Sequence, residues 1–260
     1  MNLLQRLRTS AFYRTRYAWH SALLQRYRFP GGYRRIYFYH IRKTGGTSLN
    51  HMFLGLAGED GKALYQRMGE KQQRLVHNGK IYVGWKQRLI EEGRYFYAFS
   101  HIPAHELTLP PQTYTFTCLR DPVKRVISHY RMLLDHQASA NPHPSFELEK
   151  QWIGANLLET VQKMPPEHRF FQLYMFSPTF DIQEGLAGLQ ACNRVVFTET
   201  LEDGVEQLNR DLNITLQYRH SRKSQHPYQP TEVELAALRE IMEPEYELIR
   251  AWEQVVQSTG

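Results

Sequence analysis

Lys43-Thr44-Gly45-Gly46-Thr47-Ser48 puts an ammonium, three hydroxyls and two adjacent glycines into six consecutive residues. That set of groups binds anions. The glycines let the backbone turn sharply and come close to a ligand. Unpaired N–H groups and a partial positive charge gather wherever a helix begins. A second set lies about eighty residues on, where Arg120-Asp121-Pro122 is followed by Lys124, Arg125, Ser128 and Arg131. Neither set proves chemistry alone: Lys43 could be exposed on an ordinary turn, Arg120 could pair with Asp121, and Ser128 could be a passive helical serine. The first loop is not a Walker A motif, in which lysine follows the last glycine; here Lys43 precedes both.

The flanking elements would carry both sets to one place. Residues 36–41 are apolar or aromatic on both faces apart from His40, which predicts a strand inside a parallel sheet. Leu49, Met52, Phe53 and Leu56 then recur with helical spacing. Residues 113–119 alternate as a second strand, with Tyr114, Phe116 and Cys118 on one face. Asp121 is a good N-cap and Pro122 a good first helical residue, and Val123, Val126, Ile127 and Tyr130 give the apolar stripe. Lys124, Arg125, Ser128 and Arg131 fall on its polar side. Two strands therefore deliver anion-binding groups to the edge of the sheet where α/β folds bind ligands.

Taken together, Arg42-Lys-Thr-Gly-Gly-Thr-Ser-Leu49 and Leu119-Arg-Asp-Pro-Val-Lys-Arg-Val-Ile-Ser-His-Tyr130 resemble the paired cofactor loops of sulfotransferases. The resemblance is to the carbohydrate group that includes heparan sulfate 2-O-sulfotransferase (sulfotransferase family 2), and covers roughly residues 35–135. It implies that 3′-phosphoadenosine 5′-phosphosulfate is the donor and adenosine 3′,5′-bisphosphate the product, with no metal required. Arg42, Lys43, Thr44, Gly45, Gly46, Thr47 and Ser48 would hold the 5′-phosphosulfate, and Arg120 and Ser128 the 3′-phosphate. Lys43 would also stabilise the leaving group. His101, after a third strand over 95–100, matches the family's catalytic base, although Ser100 stands where glycine is usual. Glu199 ends a fourth strand over 194–199 and is expected to hold loop backbone. In the basic loop 218–224, Arg222 and Lys223 are candidates for closing over the nucleotide, with a solvated loop the equal alternative. The acceptor would be a hydroxyl, on a saccharide or glycolipid. A nucleotide-dependent phosphotransferase and a non-catalytic anion-binding module are the competing readings.

Composition bounds the rest. A chain of 260 residues can bury a full core, and alternating strands and helices predict one α/β domain over 1–260. Its parallel sheet, P-loop-like, would have four to five strands with helices on both faces. Residues 58–94 read as helices, 136–144 as a loop, and two helices follow Pro230. Residues 1–58 carry ten Arg or Lys and no Asp or Glu. The aromatic-rich stretch 1–34 could contact a membrane surface or an anionic polymer, but packing of its aromatics on the body is preferred. No nucleic-acid recognition element is present. Cys118 and Cys192 offer neither metal spacing nor a disulfide framework. His101 and His105 are separated by Pro103 and lack a third ligand, so no metal site is expected. With no signal peptide or long apolar run, a soluble, cytoplasmic, bacterial protein is expected.

Overall fold

The computed structural model describes residues 27–70, 73–218 and 226–259, together with Arg14, Thr15, Ala18, Trp19 and Ala22. Most of the basic extension, and Arg222 and Lys223, lie outside the described residues.

Six strands form one sheet: β1 (Arg35–Tyr39), β2 (Arg74–His77), β3 (Lys80–Gly84), β4 (Tyr97–Ser100), β5 (Thr113–Leu119) and β6 (Arg194–Phe197). Their order is β2-β3-β4-β1-β5-β6, and every neighbouring pair is parallel except β2 with β3. The expected α/β architecture is present, with six strands rather than four to five. The additional pair is a hairpin within 58–94, where only helices were expected. Asn78 and Gly79, at φ 43° and 72°, make the two-residue turn that joins it. Two helices do flank it there, α1 (Gly46–Gly55) being followed by α2 (Gly61–Glu70) before the hairpin and α3 (Gln87–Glu91) after it.

Beyond β5 the chain forms α4 (Pro122–Gln137), then four short helices, α5 (Phe146–Glu149), α6 (Leu157–Lys163), α7 (Pro166–Arg169) and α8 (Phe171–Tyr174). Next come α9 (Ile182–Gln190), and after β6, α10 (Leu201–Leu212), α11 (Glu232–Ile241) and α12 (Glu243–Thr259). Asp121 caps α4 by accepting from the Lys124 amide at 2.7 Å, and Thr231 with Glu234 forms a capping box on α11. No described helix is long and apolar enough to cross a membrane.

Helices cover both faces of the sheet. On one, Phe53 of α1 stacks on Tyr97 with centroids 4.3 Å apart, while Phe38 stacks on Phe116 at 4.6 Å. α2 and α10 extend this core through Leu64, Met68, Val205 and Leu208. On the other face, Tyr39 meets Phe176 edge-on, beside Leu189 of α9 and Leu248 of α12. Such ring pairs are each worth about 0.5–1.5 kcal/mol beyond their burial. The Phe38–Phe116 stack joins β1 to β5.

The connection leaving β1 runs toward β4 and β3, whereas the one leaving β5 runs toward β6. Between the C-terminal ends of β1 and β5 lies the switch point, the usual ligand crevice of an open α/β sheet. Both motif loops start there.

Candidate active site

The loop from His40 to Gly45 turns through two left-handed residues, Lys43 at φ 70° and Gly45 at φ 80°. Gly45 caps α1 by its backbone alone, accepting from the Ser48 amide at 2.9 Å. Among the described residues, no protein acceptor takes the N–H groups of Gly45, Gly46 or Thr47. These amides form the rim of the cradle at the start of a ten-residue helix.

The loop is fixed from below. Thr44 is fully buried, and its hydroxyl donates to the Ile41 carbonyl at 2.9 Å. Its own carbonyl accepts from the Thr198 hydroxyl at 2.8 Å and from the Cys118 thiol. Burial pushes that thiol up to about 12, so Cys118 stays protonated and inert.

The second motif reaches the first directly. Arg120 Nη1 donates to the Lys43 carbonyl at 3.0 Å, while Arg120 Nε is buried with no protein partner. Asp121 does not take the arginine; it accepts from the Lys124 amide and from the Tyr246 hydroxyl at 2.9 Å. Glu199, two residues past β6, accepts the Asp121 N–H at 3.3 Å, the backbone-holding role expected of it. Ser128 is half-buried on α4, with no side-chain partner among the described residues. One turn further, Arg131 donates to the Tyr228 carbonyl at 2.9 Å and to Gln229 at 3.1 Å. Tyr228 and Gln229 are thereby held against α4 one turn from Ser128.

His101 lies just past β4, with its ring 4.3 Å from that of His40. Its Nδ1 donates to the His40 carbonyl, which leaves the lone pair on Nε2. Burial and the Arg42 charge lower His101 to about 4, despite that hydrogen bond and nearby Glu149. Ser100, in place of glycine, has its own work: its hydroxyl pairs with Tyr37 at 2.6 Å and accepts the Ile102 amide at 3.1 Å.

Arg42 is paired from a distant helix. Its Nη2 meets Glu149 at 2.6 Å, and the other Glu149 oxygen lies 3.4 Å from His129 Nε2. Burial opposes ionisation of Glu149, yet His129 and Arg42 pull its carboxyl down to about 2. His129, lowered to about 3 mainly by burial, stays neutral on the carboxylate.

Arg125 is also placed otherwise than expected. It is fully buried rather than on the polar face of α4. It pairs with Glu245 at 3.3 Å and donates to the His168 and Arg169 carbonyls. Glu245 accepts the Gln172 amide and side chain at 2.7 and 2.9 Å, and Gln172 accepts the Arg120 N–H at 2.8 Å. A buried polar chain thus runs from α12 to the Arg120 loop.

The structure unites Lys43, Gly45, Gly46, Arg120 and His101 at one sheet edge. It turns Thr44 inward and gives Arg42 to Glu149. Glu149, Gln172 and Glu245 left no local signal, because their partners are 20 to 120 residues away in sequence. Thr198, beside Glu199 at the end of a strand, was the findable one. Among the described residues, no three His, Cys, Asp or Glu side chains converge as a metal site. A cavity of about 260 Å³ lined by Phe29, Phe96, Lys80 and Leu212 opens at the opposite end of the sheet, away from this site.

No protein-family model matches the chain, and no curated protein matches it in sequence.

Proposed function

We propose that this protein is a sulfotransferase that moves a sulfuryl group from 3′-phosphoadenosine 5′-phosphosulfate to an acceptor hydroxyl on a saccharide or glycolipid. One observation carries the reading: Arg120 of the second loop sits on the Lys43 carbonyl of the first, beside the open N-terminus of α1. One site can thus serve two anionic groups of the same ligand.

The residues fit such a ligand. The free amides of Gly45 to Thr47 and the cradle glycine at φ 80° suit a sulfated phosphate. The unpartnered, buried Arg120 Nε and the half-buried Ser128 suit a second phosphate. When bound, the nucleotide supplies an activated sulfuryl group.

Lys43 and the loop amides stabilise the negative charge that develops on the departing phosphate oxygen. His101 takes the proton of the acceptor hydroxyl on Nε2, the nitrogen its hydrogen bond to His40 leaves unprotonated. Ser100 and Tyr37 hold the strand end from which His101 projects. The reaction is placed in the cytoplasm by this reading, which fractionation of cells would test.

A screen of hydroxyl acceptors with radiolabelled donor tests the proposal. Label transferred to a saccharide or glycolipid without added metal is expected. Transfer of phosphate from ATP with Mg²⁺ would replace it with the phosphotransferase. Donor binding without transfer to any acceptor would leave an anion-binding module.

A further inference from the structure

Gly46 opens α1, and a Cβ at this position would stand 2.0 Å from His40 Cδ2 and 2.1 Å from His40 Nε2. Cα–Cβ bonds tilt toward the helix N-terminus. The His40 imidazole therefore fills the place of the first helical side chain, on the rim of the cradle. This explains why the residue is glycine.

The tautomer of His40 follows from its partners. The Tyr97 hydroxyl, fully buried, donates to Asn50 Oδ1 at 2.7 Å and has no other acceptor among the described residues. That fixes the Asn50 amide with its NH₂ toward His40, where Nδ2 lies 3.3 Å from Nδ1. Nδ1 must accept, so the ring proton sits on Nε2. Although His40 is only 4 % exposed, Nε2 is not sealed from solvent, and no described residue accepts its proton.

We propose that His40 is a further anion-binding residue, its Nε2–H donating to the oxyanion held at the start of α1. Under the sulfotransferase reading, on which the identity of that oxyanion rests, it is the sulfuryl or 5′-phosphate group. His40 and His101 then carry opposite equipment 4.3 Å apart: His40 offers a fixed N–H, and His101 a fixed lone pair. His40 cannot be the base, because its only free nitrogen is protonated. Burial, together with His101, Arg42 and Lys43, keeps it neutral by lowering its proton affinity well below the usual histidine value.

The test is a titration of the full chain, labelled with ¹⁵N-histidine, with inorganic sulfate. The His40 signals should show a protonated Nε2 and a bare Nδ1 before addition, and the Nε2–H resonance should move on saturation. His40→Leu should weaken sulfate binding about tenfold or more, the scale of a hydrogen bond to a charged group, and His40→Gln should restore much of it. A bare Nε2, an Nε2–H signal that ignores sulfate, or unchanged affinity in His40→Leu would overturn the inference. If His40→Leu does not fold, the wild-type titration decides alone. Sulfate moving His40 while adenosine 3′,5′-bisphosphate fails to bind would uphold His40 and overturn the sulfotransferase reading instead.

Discussion

Lys43 occupies the left-handed region at φ 70°, where a lysine costs about 1–2 kcal/mol relative to an ordinary conformation. The bond from Arg120 to its carbonyl, and those from Thr198 and Cys118 to the next carbonyl, hold it there. Under the sulfotransferase reading, this strain is the cost of keeping a lysine side chain in the loop. Lys43→Gly should therefore raise stability by about 0.5–1 kcal/mol in denaturant melts, since glycine adopts this φ freely. Turnover of the same variant should fall roughly a hundredfold or more, as for loss of one transition-state donor. Retained turnover would remove Lys43 from the chemistry. At His101, a value of about 4 describes the protein without donor. A polyanion bound at the neighbouring loop favours the imidazolium, so its pKa should rise toward neutrality when adenosine 3′,5′-bisphosphate binds. An NMR titration with and without the nucleotide measures this; no rise would argue against a proton-accepting role. His101→Ala should lose about a hundred- to ten-thousandfold in rate with donor affinity nearly unchanged. Should it not, His105, His129 and Glu199 are the groups to test next.

The two loops are held by elements that approach them from far along the chain. Arg125, Glu245 and Gln172 link α4, α12 and α8 under the Arg120 loop, and both ends of the ion pair are completely buried. Arg125→Met leaves a buried carboxylate without its cation, which should cost about 3–5 kcal/mol in thermal or denaturant unfolding. The double change Arg125→Met with Glu245→Gln should recover much of that, since no unpaired charge remains. Recovery of stability without recovery of nucleotide affinity would show that the network also aims the Arg120 loop. Much of this scaffold was legible in the sequence. The bounds of β5 and the cap of α4 follow from alternation and from Asp121-Pro122, which are local signals. The β2–β3 hairpin was also readable, from Asn78-Gly79 between Leu75-Val76 and Ile81-Tyr82-Val83, but helical spacing nearby obscured it. The burial of Arg125 was not. A charged residue on an amphipathic helix reads as solvent-facing unless its distant partner is known, and Glu245 lies 120 residues away. For the same reason the pairing of Arg42 with Glu149 from α5 was not readable, since the two lie 107 residues apart.

At the scale of the whole molecule, four of the described histidines, His40, His101, His129 and His168, are lowered chiefly by burial. Their proton affinities in the unfolded chain return to the ordinary range near 6.5. Between that value and about 4 the unfolded chain binds more protons than the folded one, so stability rises with pH in this window. The contribution is complete above about 6.5 and is lost as pH falls toward 4. Melting temperature should accordingly drop from pH 7 to pH 5, and His129→Leu should flatten part of that slope. An unchanged slope would mean that His129 is not buried neutral. The sheet order places the loops of Lys43, His101 and Arg120 at the C-terminal edge of β1, β4 and β5, and that common edge gives the molecule one site rather than scattered charges. The most direct test of what that site binds is calorimetric titration of the intact protein with adenosine 3′,5′-bisphosphate, ADP and ATP, with and without Mg²⁺. The account predicts that the bisphosphate binds much the tightest, needs no metal, weakens as salt is raised, and loses affinity in Arg120→Ala. ATP binding as tightly or more tightly, and only with Mg²⁺, would contradict it.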